Sequence, residues 1–161
     1  NANLTGDVTS SGNATTIAVD AVDIAMLSAS GTASSSTFLR GDNQWGAVSS
    51  TESIIVSASD ELTSLTTGTA KTTFRIPYAF TLTAVKVSLT NTSTGGNPTI
   101  DINESGTSIL SSPVAITAGQ KTATASVSDT SLANLAEITV DIDVAGTNAS
   151  GLKVYLIGSQ T

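Results

Sequence analysis

"EITVDIDV", residues 137–144, places Ile138, Val140, Ile142 and Val144 on one parity and Glu137, Thr139, Asp141 and Asp143 on the other. Successive side chains of a strand point to opposite faces, so the run reads as a strand with one side in a core and the other in water. Similar short runs flank it: "SIIVSA" (53–58), "TTFRI" (72–76), "FTLTAVKVSLT" (80–90), "TIDINE" (99–104), "TSILS" (107–111), "KTATASV" (121–127) and "LKVYLIG" (152–158). Gly, Pro, Asn and Asp separate them, and strands at this spacing predict an all-β, antiparallel, jelly-roll-like β-sandwich over residues 51–161. Within 80–90, Leu82 and Ala84 hold one parity while Val85, Val87 and Leu89 hold the other. A β-bulge near Ala84 reconciles the two. "TSTGGNP" reads as a loop, "ESG" as a tight hairpin at Gly106 and "TAGQK" as another at Gly119.

Upstream of residue 51 the character changes. Residues 1–50 are small and polar, and their sizeable apolar residues are Leu4, Val8, Ile17, Val19, Val22, Ile24, Met26, Leu27, Phe38, Leu39, Trp45 and Val48. These are too few and too scattered to bury one another in one chain, so the segment is expected to need a partner surface. It reads as a thin extended shaft or linker ahead of the head. "LTGDVTSSGNATTI" divides into extended pieces at Gly6 and Gly12, and "AVDAVDIAMLSA" (18–29) is expected to form a short helix with Asp20 near its start. The chain opens on Asn1 rather than methionine, as expected of a trimmed or partial polypeptide.

Composition excludes more than it includes. The 161 residues carry a formal net charge of −7, and the six basic residues are scattered, so no nucleic-acid partner is expected. Without cysteine there is no disulfide framework or thiolate metal site, and without histidine there is no Ser-His-Asp triad. No P-loop or dinucleotide fingerprint occurs, and no cofactor is expected. No apolar run approaches the ~18 residues of a membrane helix, and no secretion-signal pattern is present, so membrane insertion is not expected. Roughly a third of the chain is Ser and Thr, far above ordinary usage. The five Asn-X-Ser/Thr sequons, at Asn3, Asn13, Asn91, Asn103 and Asn148, are therefore a compositional by-product.

Carboxylates are the remaining catalytic raw material. A glycosidase needs two of them facing a cleft, whereas alternating charge on a strand is normally a solvated face, so no enzyme is expected. Asp101 and Asn103 of "TIDINE" and Asp141 and Asp143 of "VDIDV" would line one sheet face if their strands were neighbours. Calcium takes such oxygens, but a flat strand face rarely wraps an ion; cross-strand pairing with Lys86, Lys153 or Arg75 is the favoured alternative. Trp45, Tyr78, Phe80 and Tyr155 read as packing anchors rather than sugar platforms.

"SSSTFLRGDNQW" (34–45) contains Arg40-Gly41-Asp42, a tripeptide that matrix proteins present to integrins. Gly41-Asp42-Asn43 is also plain turn chemistry, and a short match without context is weak. Together with "NLTGDVTSSGNATTIA" and "ASGTASSSTFLRGDNQWGAV", it resembles the linker modules of bacteriophage tail-fibre and other virion appendage proteins. The blocks "SDELTSLTTGTAKTTFRIPYAFTLTAVKVSL", "TIDINESGTSILSS", "AEITVDID" and "GLKVYLIG" resemble a C-terminal β-domain of phage structural proteins. The resemblance implies a homotrimer on the virion, either on a tail fibre or on the capsid surface, in contact with other virion structural proteins. In that setting the Arg40–Asn43 turn is expected to end the shaft and aim Trp45 at the head, with Arg40 pairing with a neighbouring chain's carboxylate. The expected function is a fibre tip that binds a bacterial surface glycan or protein without catalysis; the alternative is a capsid decoration or head-fibre protein. Recognition is expected from loops that a rigid sheet holds in place. "NTSTGGNP" (91–98) and "VAGTNASG" (144–151) are the longest polar loops, and Asn91, Thr94, Asn97, Thr147 and Asn148 are the candidate receptor-binding residues.

Overall fold

Most of the alternating runs form strands that turn one parity inward; of "TSILS" only Thr107–Ser108 is strand, and Ile109 and Leu110, of opposite parity, are both buried. A computed structural model describes residues 4–22, 26–48 and 50–161. The chain divides into two compact units, Asn1–Ser49 and Ser50–Thr161. The first unit holds β1 (Val8–Ser11) paired with β2 (Ala14–Ile17) and β3 (Thr37–Leu39) paired with β4 (Trp45–Ala47), both antiparallel. Gly12, at φ +60°, sits in the turn between β1 and β2. The expected helix over 18–29 is not seen at residues 18–22, where the Ala21 N–H reaches back to the Ala18 carbonyl and Asp20 takes φ +62°. A left-handed residue ends a right-handed helix; positions 23–25 lie outside the described residues. Apart from Trp45, every sizeable apolar side chain described in this unit is exposed, from Leu27 at 36% to Val19 at 91%.

The second unit contains β5 (Glu52–Ser57), β6 (Gly68–Arg75), β7 (Phe80–Ser88), β8 (Thr99–Glu104), β9 (Thr107–Ser108), β10 (Val114–Ala115), β11 (Thr122–Ala125), β12 (Ser131–Leu132), β13 (Glu137–Val144) and β14 (Lys153–Gln160). They form two antiparallel sheets, one ordered β10-β8-β13-β6 with β9 beside β8, the other β11-β7-β14-β5 with β12 beside β7. Most successive strands alternate between the sheets, and the order is that of a jelly roll, two Greek keys folded face to face. Ile100, Ile102, Ile138, Val140 and Ile142 of the first sheet join Phe80, Leu82, Val85, Val87, Val154 and Leu156 of the second in one buried core. Burying such a side chain stabilises by ~1.5–3 kcal/mol relative to exposure.

Irregularities explain the parity breaks. Ile157 pairs with Ala84 but Gly158 pairs with Leu82, which leaves Thr83 as the extra residue of a bulge next to Ala84. Phe80 and Leu82 before it, and Val85 and Val87 after it, all point inward. Gly158 is obligatory there, since a Cβ would lie 2.0 Å from the Thr81 carbonyl oxygen. A second shift makes Asp143 the extra residue of β13, between Ile142 opposite Ile100 and Val144 opposite Thr99. Val144 is thereby turned out to 44% exposure, unlike the core position its parity implied. The expected turn at Gly106 is a tight hairpin between β8 and β9, with Ser105 at φ +49° and Gly106 at +87°. The Gly119 turn is not a hairpin within one sheet, because β10 and β11 on either side of it belong to different sheets.

Candidate functional site

The two long polar loops lie side by side. The Thr94 N–H donates to the Thr147 carbonyl at 2.9 Å, the Thr147 N–H donates to the Gly95 carbonyl at 2.8 Å, and Asn91 bridges to Ser150. Their hub is Ser93, 2% exposed, whose hydroxyl lies 2.8 Å from both the Gly95 and Gly96 carbonyl oxygens and accepts the Thr147 N–H at 3.0 Å. Gly146 passes so close, at φ +69°, that a Cβ would stand 2.5 Å from the Ser93 Oγ. A buried hydroxyl bonded to both loops fixes their spacing.

Of the five candidate residues, Asn91, Thr94, Thr147 and Asn148 are brought together. The Asn91 amide donates to the Ser150 hydroxyl at 2.8 Å, and the Asn148 amide donates to the Thr94 hydroxyl at 3.2 Å. Asn97 sits further along its loop, where its Oδ1 accepts the Ala118 N–H at 2.9 Å. Much of their hydrogen-bonding capacity is thus spent within the chain. The Thr147 hydroxyl, the Asn97 amide and the Asn91 and Asn148 side-chain oxygens remain for an outside partner.

A third segment closes the same end. The Ser150 hydroxyl donates to the Glu61 carbonyl at 2.7 Å, the Gly151 N–H to the Asp60 carbonyl at 2.9 Å, and the Leu65 N–H to the Ala149 carbonyl at 2.7 Å. Asp60 accepts the N–H groups of Thr63 at 2.7 Å and Leu62 at 2.8 Å, and these bonds, Thr63's foremost, hold its carboxyl below the ordinary value. The Glu61 carboxylate takes the Lys153 ammonium and the Thr90 hydroxyl, and the Lys153 contact is the main reason its pKa is lowered. Ser93 and Glu61 escape a reading of the sequence, because serine and glutamate in polar loops carry no periodicity.

The acidic strands are neighbours. Asp101 stands directly opposite Asp141, and Asn103 opposite Thr139. The expected cations do not answer them: Arg75 pairs with Glu137 at 3.1 Å, Lys153 pairs with Glu61, and Lys86 belongs to the other sheet. Neutral donors do so instead. Asp141 accepts the Ala70 N–H at 2.6 Å and the Asn103 amide at 3.1 Å, while Asp101 accepts the Ser108 hydroxyl at 2.6 Å and the Ile102 N–H at 2.9 Å. Ala70 can point its N–H at Asp141 because φ +47° turns it out of the β6 ladder, where the register shifts. Desolvation, then Asp101 and Asp141, push the Asp143 carboxyl up. Among the described residues no group of three or more His, Cys, Asp or Glu side chains could hold a metal ion.

No protein-family model, curated protein or solved structure matches the chain. Local geometry alone therefore speaks for the remaining motifs. Arg40-Gly41-Asp42 forms the tip of the β3–β4 hairpin, closed by the Asn43 N–H on the Arg40 carbonyl at 3.0 Å. The carboxylate that Arg40 meets is that of Asp42, at 3.2 Å, within the tripeptide itself. Among the aromatics, Phe80 is buried and Tyr78 packs against it, with ring centroids 6.2 Å apart. Tyr155 departs from the packing-anchor expectation: it faces outward on β14 and lines a groove of about 290 Å³ with Lys86, Ser88, Thr122 and Thr124. No helix among the described residues is long and apolar enough to cross a membrane.

Proposed function

We propose that this chain is a bacteriophage virion protein, a homotrimeric fibre whose jelly-roll units bind a host-cell surface glycan or protein without catalysis. The observation that carries this reading is the exposure of the first unit's apolar side chains on the single chain. Each large aliphatic group left in water forgoes ~1.5–3 kcal/mol, and three copies about one axis recover it. The same segment is suited to contacts with other virion structural proteins. Three heads then act in parallel, so that hydrogen bonds of ~0.5–1.5 kcal/mol each add up to useful avidity. The paired loops support receptor binding because their shape is set before any ligand arrives, which lowers the ordering cost. Jelly rolls recur among lectin and viral capsid domains, an analogy of fold rather than of function.

A capsid decoration or head-fibre role is the second reading. It is favoured by the loop amides of Asn91 and Asn148, which are spent on Ser150 and Thr94. Adsorption of the labelled intact protein to bacteria separates the two, with a second form in which 91–98 and 144–151 are replaced by Gly-Ser segments. A receptor-binding tip predicts adsorption by the parent and loss in the exchanged form. Absence of adsorption by the parent, with its density on the capsid in a whole-particle map, would establish decoration instead.

A further inference from the structure

The outer face of the β11-β7-β14-β5 sheet carries a row of side chains that the register aligns from four separate strands. Thr124 lies opposite Lys86, Lys86 opposite Tyr155, and Tyr155 opposite Ile55. The next outward row contains Thr122, Ser88, Lys153 and Ser57. Between these rows runs the groove of about 290 Å³, at the lower end of the range for small-molecule sites and suited to a single sugar ring.

Its chemistry is specific. Lys86 is the only charged residue lining the groove, and it has no ion-pair or hydrogen-bond partner among the described residues. Of the other five basic residues, Arg40, Arg75 and Lys153 are ion-paired and Lys71 donates to the Thr66 hydroxyl, while Lys121, outside the groove lining, is the other ammonium without a side-chain partner among the described residues. An unpaired ammonium in a chain of net charge −7 is a local cationic point in an anionic field. That arrangement favours a ligand with one negative charge in the groove and disfavours a dense polyanion. The hydroxyls of Thr122 and Thr124 make no hydrogen bond among the described residues, and those of Ser88 and Tyr155 share one bond at 3.0 Å, leaving further capacity on both. An aromatic ring beside clustered hydroxyls matches the apolar C–H face and polar rim of a pyranose.

We propose that this groove binds a carboxylate-bearing sugar unit of the uronic-acid type. Lys86 takes the carboxylate, the Tyr155 ring packs against the sugar's C–H face, and Ser88, Thr122 and Thr124 meet its hydroxyls. The inference deepens the receptor-binding reading and rests on it for the biological source of the sugar. It also places a contact on a strand face, away from the loops 91–98 and 144–151.

Titration of the intact chain with methyl α-D-galacturonoside, a single ring with one carboxylate, and with its methyl ester as the uncharged counterpart of the same shape, tests the site by chemical-shift perturbation. The acid should bind and shift the signals of Lys86, Thr122, Thr124 and Tyr155, with the ester weaker by at least about tenfold, as loss of a charge-assisted hydrogen bond implies. Lys86→Met, at a strand position that a long apolar chain fills equally well, should lower acid affinity to that of the ester and leave ester binding unchanged. Tyr155→Ala should lose both, whereas Thr107→Ala, exposed on β9 of the other sheet, should change neither. Equal binding of acid and ester, shifts confined to the loops, or absence of binding to either sugar would each overturn the proposal. Cell adsorption keeps the two readings apart. A parent that adsorbs while Lys86→Met and Tyr155→Ala adsorb equally well overturns the groove and spares the receptor-binding tip. A parent that binds the acid in vitro but adsorbs to no cell supports the groove and counts against the tip.

Discussion

The two units use the same residue types to opposite ends. In residues 50–161 the aliphatic side chains of two sheets meet in one core, with Ile76, Ile100, Ile102, Ile138, Val140, Leu152, Val154 and Leu156 all at 0% exposure. In the described part of residues 1–49, Val19, Val22, Met26 and Val48 stand at 54–91% exposure, beside hairpins of three or four residues per strand. The difference is one of strand length and return. A strand of eight or nine residues, such as β7 or β13, presents several inward side chains to a facing sheet; a hairpin with strands of three or four residues presents only one or two on each face. Hydrophobic content alone therefore does not make a core, and the topology that brings faces together decides it.

Substitution in the core should have the greatest consequence. Phe80→Ala, at 1% exposure, should destabilise the second unit by ~3–5 kcal/mol in denaturant unfolding. Val19→Ala, at 91% exposure, should leave that unit's unfolding midpoint unchanged. A comparable loss at both positions would mean that the units share a core.

Next comes the loop hub. Ser93→Ala removes the buried hydroxyl between the two loops and should cost ~1–3 kcal/mol, with faster amide exchange at Thr147 and Gly95. Unchanged exchange at these amides would show that the loops hold their spacing without it.

Much of this architecture was legible beforehand, and the exceptions have identifiable causes. "EITVDIDV" announced its buried face because alternation is a local property, and the parity switch near Ala84 located a bulge because a bulge is the only way for one strand to change face. Val144 was misread because its bulge has no parity switch after it to reveal it. The short strands β10 and β12 have two residues each and no period to detect. The adjacency of the 91–98 and 144–151 loops, the neutral donors around Asp101 and Asp141, and the groove at Lys86 and Tyr155 all depend on register between distant strands. Sequence parity says which face a residue takes, but not which residue stands opposite.

The smallest effects are electrostatic, and their opposite signs make them a matched pair. The Asp60 carboxyl is held below its ordinary value of 3.8 by the Thr63 and Leu62 N–H groups. Its contribution is therefore present above that value and is lost as the pH falls through the lower folded-state pKa. Asp60→Ala should melt below the parent at neutral pH and converge with it in acid. Asp143 is raised above 3.8 by desolvation and by Asp101 and Asp141, so its stabilising term is complete below 3.8 and is lost as the pH rises through the folded-state pKa. Asp143→Asn should accordingly melt above the parent at neutral pH, with the gap closing in acid. Thermal melts of the two variants across pH check both signs, and the same sign for both would refute the assignment.

On the proposed function, the second unit should be sufficient to itself and the first should be completed by other copies of the chain. Native mass measurement at micromolar concentration, on the intact chain and on residues 51–161, tests it most directly. Three copies are expected for the intact chain and a folded single copy for the excised head. A stable monomer of the intact chain would contradict it, and so would an excised head that fails to fold.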